Sequence, residues 1–355
     1  MRKVLAALAL AGVTAATAQA APALAADHPK WAIVVHGGAG IIDRKDMDPK
    51  TEAAYRAAMS AALERGTKVL KAGGSSLDAI EAVIQGLEDD PLFNAGRGAV
   101  FTAEGRNELD AAIMDGANLK AGAVAGVTRT RHPISLARAV MDKSPHVMLI
   151  GQGADAFAGK EGLEQVDPSF FFTERRWQGL VKELKAKGLP IPPRPAGAPP
   201  EPAKPSAALL APDDHRFGTV GVVALDSRGN IAAGTSTGGT TAKQWGRVGD
   251  SPIIGAGTYA ANASCAVSGT GTGEYFIRLT VAREICALVQ YEHKPLQAAA
   301  DEVIQKRLTA LGGDGGIIAV DPKGDVAWSF NTSGMYRARQ VEGGAPVVQI
   351  FSDEK

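Results

Sequence analysis

Half of the residues between Pro190 and Pro205, "PIPPRPAGAPPEPAKP", are proline. Such a run can neither supply a ladder of backbone donors nor continue a helix. It reads as an extended, mobile linker whose low-complexity flanks stretch it over 188–214. The chain is thereby divided into two blocks. The first opens on a strand, "WAIVVHGGAG", that runs into a glycine turn at Gly37 and Gly38. A helical pattern from Thr51 to Lys71 stops at Gly73 and Gly74, and Ser75 or Ser76 caps a second helix through Glu88. Hairpin-like segments follow in "AVFTAEGRNELDAAIMDG" and "AGAVAGV", then a helix over 134–142, a strand in "HVMLIG", and helices over 151–161 and 173–187.

The second block reads as strands over 219–226 and 231–237 joined by the turn residues "SRGN", then a loop through Gly255 and a strand over 264–270. Helices over 274–290 and 296–311 come next, and then strands in "GIIAVD" and "VAWSFN". Neither block shows the regular strand–helix alternation of a doubly wound sheet. The hairpins predict an α+β fold of largely antiparallel sheets with helices outside.

A content of 45% hydrophobic and 21% charged residues suits a soluble globular protein with a sizeable core. Lys+Arg 38 against Asp+Glu 38 leaves no net charge, so nothing in the balance points to nucleic acid or an anionic membrane. At the N-terminus, Arg2 and Lys3 precede an apolar run from Val4 to Val13, followed by the small-residue sites "AQA" and "ALA". This is the pattern of a signal peptide over 1–26, too short for a membrane span. It predicts a periplasmic or secreted chain beginning between Ala21 and Asp27. Cys265 and Cys286 lie in apolar strand-like and helical runs, outside any CxxC, and read as two unpaired core thiols.

Several motifs could carry chemistry. "SGTGTGE", Ser268 to Glu274, joins a strand to a helix, but its spacing is not that of a dinucleotide loop and no phosphate-loop lysine motif occurs. Its glycines serve either a tight connection or backbone N–H groups that stabilise an oxyanion. There is no GxSxG elbow and no metal-ligand histidine spacing, and His36 reads as a structural histidine at a strand end. In "GRVGDSP", Arg247 and Asp250 offer a fork for a carboxylate and an anion for an ammonium, the two charges of an α-amino acid; the plainer reading is a solvated loop. Thr219, behind Gly218, is on its own an ordinary β-branched residue at a strand start.

Taken together, "HGGAG", "LEDDPLFNAGRGAVFT", "NELDAAIMDG", "GTVGVVALD", "GTSTGG", "GRVGDSPIIGAGTYA", "GTGTGE" and "NTSGMYRA" resemble the plant-type asparaginase and isoaspartyl peptidase family of N-terminal nucleophile hydrolases. The resemblance implies a four-layer αββα sandwich. It implies self-cleavage between Gly218 and Thr219, giving fragments 27–218 and 219–355 that build one domain. Thr219 becomes the nucleophile with its own new amine as base, which removes the need for a histidine. Thr237 tunes it, Thr270 and the Gly271 N–H form the oxyanion hole, and Gly273 frames the pocket. Arg247 holds the α-carboxylate and Asp250 the α-ammonium of L-asparagine or a β-aspartyl dipeptide. Asn94 and His36 match supporting positions. No cofactor is implied for catalysis, but a structural sodium ion is, on carbonyls of the loop at Leu87, Glu88, Asp90, Phe93, Ala95 and Arg97. The expected assembly is a dimer of processed heterodimers, with no nucleic-acid or membrane partner. Two rival readings remain at this point: a glycosylasparaginase of the same family, and an exported amino-acid binding protein that uses Arg247 and Asp250 without breaking bonds.

Overall fold

The computed structural model describes residues 29–202 and 218–354. The export segment expected over 1–26, and the linker from residue 203 onward, lie outside the described residues. In chain order the first block forms β1 (Ala32–Gly40), α1 (Pro49–Lys71), α2 (Ser76–Asp89), β2 (Leu109–Asp115), β3 (Ala121–Val127), α3 (Pro133–Lys143), β4 (Met148–Ile150), α4 (Gly151–Lys160) and α5 (Glu174–Ala186). The second forms β5 (Val220–Leu225), β6 (Ile231–Thr237), β7 (Thr258–Ala260), β8 (Ala266–Gly271), α6 (Gly273–Leu279), α7 (Val281–Glu292) and α8 (Leu296–Asp301), whose rod runs on to Leu311. Four strands close the chain: β9 (Gly315–Val320), β10 (Val326–Phe330), β11 (Gly334–Val341) and β12 (Val347–Phe351).

The strands pair into an eight-stranded sheet, β12-β11-β1-β5-β6-β2-β3-β4, and a four-stranded sheet, β10-β9-β8-β7. Every pairing is antiparallel except β3 with β4. The two blocks share the large sheet, because β5 and β6 stand between β1 and β2. Alternating side chains divide the apolar residues among three interfaces. Ile33, Val35, Val220 and Val222 meet Met59, Ile80 and Ile84 of α1 and α2 on the outer face. Val34, Val223, Ile231, Ala266 and Ile318 fill the space between the sheets. Val267 and Ile317 meet Ile285, Ala299 and Ile304 on the far side. The result is the αββα order of layers that strand period and helix amphipathicity require when both faces of both sheets are apolar.

Local signals account for several element ends. Asp48 caps α1 by accepting the N–H groups of Lys50 and Thr51, both at 3.0 Å, so the helix begins two residues before the expected Thr51. Ser75 and Asp78 form a capping box on α2. The helix expected over 274–290 is instead two, broken at Thr280, which is left-handed with φ 48°. The first N–H groups of α7 turn to the loop instead: Ala282 to the Ala256 carbonyl at 3.0 Å and Arg283 to that of Gly255 at 2.9 Å. β11 and β12 escape the sequence pattern because β11 carries Arg337, whose buried guanidinium donates to the carbonyls of Met335, Phe351 and Glu354.

The expectation of two unpaired cysteines is overturned. Cys265, just ahead of β8, and Cys286 in α7 form a disulfide. Both are fully buried, as their apolar flanks imply, but strand and helix bring the two Cα atoms to 5.3 Å, well within bridging reach. Closing a loop of 21 residues removes denatured-state entropy worth about 3 kcal/mol in the chain-entropy treatment. Denaturant titration of Cys265→Ala/Cys286→Ala should show a loss of that order, and the unfolded, unreduced wild type should show no reactive thiol.

Candidate active site

Strand alternation delivers the expected residues to one place. Ala32 and Val34 on β1, Val223 and Leu225 on β5, and Ile231 and Ala233 on β6 point between the sheets and make one end of that layer apolar. Continuing the same period of two toward the other end brings in His36, Thr219, Thr235 and Thr237. From the facing sheet, Ala266 leads by the same period to Ser268 and Thr270. All of these polar groups are buried.

Thr219 Oγ1 donates to Thr237 Oγ1 at 3.1 Å and lies 3.3 Å from Ser251 Oγ. Thr237 Oγ1 also accepts the Gly239 N–H at 3.0 Å. His36 turns its Nε2 to Ser268 Oγ at 2.9 Å. Burial drives its imidazole pKa down to about 3, opposed only in part by the Thr219 backbone, so His36 is neutral at physiological pH. Thr270 Oγ1 accepts the Ala39 N–H at 3.4 Å. Gly271 ends β8 where a Cβ would stand 2.4 Å from the Asp314 carbonyl, which leaves room for glycine alone.

The two charges of "GRVGDSP" converge beside this hydroxyl cluster. A Cβ on Gly273 would sit 2.9 Å from both Arg247 Nη2 and Asp250 Oδ1, so the two groups converge on this glycine and leave no room for a side chain. Asp250 is 3% exposed, and its Oδ2 accepts no hydrogen bond from any described residue. Burial pushes its carboxyl up to about 7 despite the nearby Arg247. Arg247 spends its Nε and Nη2 on Glu274, at 2.9 and 3.0 Å, and this bond holds the Glu274 carboxyl below its ordinary pKa. A buried carboxyl with one unpaired oxygen thus stands beside a guanidinium and a cluster of hydroxyls.

The family model described as Asparaginase matches residues 29–350. The chain is 49% identical to the isoaspartyl peptidase of Escherichia coli strain K12, across 92% of this chain and 97% of that protein. It is 44% identical to a probable isoaspartyl peptidase/L-asparaginase 2 of Arabidopsis thaliana, across 90% and 99%. It is also 44% identical to a plant-type L-asparaginase of Pyrococcus abyssi, across 88% and 97%. The chain belongs to the asparaginase family.

In this asparaginase-family chain the loop after α2 braces the hydroxyl cluster. Asn94 Nδ2 donates to the Gly239 carbonyl at 2.7 Å, its Oδ1 accepts the Val100 N–H at 2.9 Å, and its carbonyl accepts the Gly238 N–H at 3.1 Å. Gly218 packs on the same residue, where a Cβ would approach Asn94 Cβ to 2.7 Å. The loop itself is wound tightly. A Cβ on Gly96 would be 2.2 Å from the Glu88 carbonyl, and one on Gly98 would be 1.9 Å from the Phe93 carbonyl. The carbonyls of Leu87, Asp90 and Ala95 accept N–H groups of Asp90, Phe93 and Gly98 within the loop. Arg97 sends its side chain outward over the Phe170 ring.

Sequence reasoning missed three side chains that touch the site: Ser251, Ser268 and Glu274. Each follows or sits inside a quoted motif, but nothing in a linear motif says which neighbour a side chain faces. It did not foresee that Glu274 would occupy Arg247. The geometry also explains Gly221, whose Cβ would fall 1.9 Å from Ser268 Oγ and 2.3 Å from His36 Nε2. Gly221→Ala should therefore separate His36 from Ser268 and cost about 1–3 kcal/mol, read as a lowered denaturation midpoint.

Proposed function

We propose that this chain is a self-processing threonine amidohydrolase that releases L-aspartate from β-aspartyl dipeptides and from L-asparagine. The observation that carries this reading is the convergence of Arg247 and Asp250 on Gly273, beside the Thr219–Thr237 hydroxyl pair. In this reading the Gly218–Thr219 bond is cut first, giving fragments 27–218 and 219–355, and the new α-amine of Thr219 is the base. Such an amine has an ordinary pKa of about 7.7–8.0, so a useful fraction is unprotonated near neutral pH. The Thr219 hydroxyl passes its proton to that amine as its oxygen attacks the β-carbonyl. Thr270 and the Gly271 N–H receive the negative charge on the carbonyl oxygen. The amine then hands the proton to the leaving nitrogen, releasing ammonia or an amino acid. Water, deprotonated by the same amine, attacks the aspartyl ester, and Thr219 Oγ1 leaves with a proton as aspartate departs. Arg247 and Asp250 hold the α-carboxylate and α-ammonium throughout. Thr237 and Asn94 steady the nucleophile, and His36 supports it as a neutral group.

Three further parts of the reading concern the whole particle. The N-terminal segment exports the chain to the periplasm or beyond. The loop carbonyls at Leu87, Glu88, Asp90, Phe93, Ala95 and Arg97 hold a structural sodium ion, and no chemical step passes through it. Two processed heterodimers associate. Denaturing mass analysis should find one fragment starting within 21–27 and ending at Gly218, and another starting at Thr219. Native mass analysis reads the assembly and the sodium together. Thr219→Ala should remain a single chain with no release of aspartate; an uncut wild type with full hydrolase activity would sink the reading.

The buried Asp250 carboxyl gives this reading a pH signature. Its pKa is raised to about 7, so the free enzyme loses the anion as pH falls through that value, and with it the partner for the substrate ammonium. The kcat/KM for a β-aspartyl dipeptide should therefore fall on the acid side of neutrality. Asp250→Asn should raise KM by about 30-fold or more, the cost of removing one member of a buried charge pair. An unchanged KM in that variant would remove Asp250 from substrate recognition.

A further inference from the structure

Behind Thr237 lies a buried ion pair that the reaction outlined above does not use. Asp110 on β2 is the cross-strand partner of Thr237 on β6. Its Oδ1 accepts the Gly126 N–H at 2.9 Å, and its Oδ2 accepts no hydrogen bond from any described residue and faces Lys243 Nζ at 4.0 Å. The side chains of Lys243 and Asp110 are 2% and 0% exposed. Lys243 Nζ donates to the Glu108 carbonyl at 2.9 Å, so β2 and the residue just before it meet the ammonium from two sides. A charge pair withdrawn this far from water gives weak net stability, and its better-attested use is to fix one arrangement among several.

The arrangement it fixes is visible at Gly239. A Cβ there would be 3.1 Å from both Cδ and Nζ of Lys243 and 3.5 Å from Arg247 Nη1, so the lysine head occupies the space a side chain at this position would need. Gly239 is left-handed, with φ 80°. Its carbonyl accepts Asn94 Nδ2 at 2.7 Å and its N–H donates to Thr237 Oγ1 at 3.0 Å. Thr237 Oγ1 in turn accepts the hydroxyl of Thr219. The Lys243 head, the left-handed Gly239 and the Thr237 hydroxyl thus stand in one line of neighbours that ends at Thr219.

We propose that Lys243, held by Asp110 and the Glu108 carbonyl, is the positioning residue of the nucleophile, acting through Gly239 and the Thr237 hydroxyl. This rests on Thr219 being the nucleophile. The substrate charges meet Arg247 and Asp250 instead, so the effect of Lys243 falls on the chemical step and not on binding.

The test compares wild type, Lys243→Met, Asp110→Asn and the paired variant Lys243→Met/Asp110→Leu, which leaves neither charge orphaned. Activity on a β-aspartyl dipeptide is expressed per chain cut at Gly218, so that slow processing is not mistaken for slow turnover. The kcat should fall about 10- to 100-fold in the single variants, the scale of a misplaced reacting group, and in the paired variant as well. KM should stay within about threefold, the mark of an interaction absent from ground-state binding. If either single variant fails to fold, the paired variant carries the decision. A folded paired variant with wild-type kcat overturns the proposal, and so does a raised KM at unchanged kcat, which would move Lys243 into the carboxylate subsite. A wild type without hydrolase activity would strike the proposed function itself, a separate failure.

Discussion

The structure depends on one packing constraint: two sheets face each other, and every second residue of six or more strands must enter the space between them. Apolar side chains fill that space where the sheets lie flat against one another. A run of hydroxyls cannot sit in such a layer unless each finds a partner, because an unpaired buried hydroxyl costs more than the net gain of a hydrogen bond. Thr219, Thr235, Thr237, Ser268 and Thr270 therefore gather at one end, where Thr235 Oγ1 reaches the Ser251 carbonyl at 2.8 Å and Thr219 reaches Thr237. The polar end of the layer is a consequence of strand period and satisfied hydrogen bonding, and its hydroxyls are carried by paired strands. A site built there inherits its precision from the core.

The charged groups follow a different rule. Hydroxyls around Thr219 satisfy one another, but Asp250 is left with a bare oxygen and a carboxyl pushed up to about 7 by burial. Arg247 is not bare, because Glu274 occupies one edge of its guanidinium. The two halves of the proposed zwitterion subsite thus start from opposite conditions: an anion in need of a partner, and a cation already oriented by one. Glu274 leaves the remaining guanidinium edge for a second carboxylate, in a geometry a flexible solvated arginine would not hold. In the proposed subsite an arriving ammonium would compensate the desolvation of Asp250, so the same burial that raises its pKa would favour a ligand carrying both charges over a carboxylate alone.

Much of this was legible in the sequence. Helix ends followed from Ser75, Gly73 and Gly74, the hairpin of β5 and β6 from its "SRGN" turn, and the antiparallel α+β order from the lack of strand–helix alternation. The failures have physical causes. The pairing of Cys265 with Cys286 depends on how α7 lies over β8, a tertiary fact that apolar flanks cannot reveal. The break at Thr280 is imposed by the carbonyls of Gly255 and Ala256, which take the donors a continuous helix would have used inside itself. β11 was hidden by Arg337, since a buried guanidinium among backbone carbonyls and aromatic rings inverts the rule that arginine marks the surface. The residues of the proposed site stand in recognisable motifs, but their mutual contacts, Glu274 on Arg247 above all, were not legible.

Gly218 joins the proposed cleavage to the same geometry. A residue with a side chain at this position would collide with Asn94, and Asn94 is the group that grips both Gly238 and Gly239. The bond proposed for cutting is therefore pressed against the loop that sets the Thr237 oxygen, and the glycine permits that approach. Thr219 stands one residue ahead of β5, which is held on one side by β1 and on the other by β6. Breaking the chain at that point removes no strand pairing and leaves the new terminus fixed by the sheet. A nucleophile that must also be a chain end needs such a place: an end held by strands on both sides and stiff enough to aim its hydroxyl.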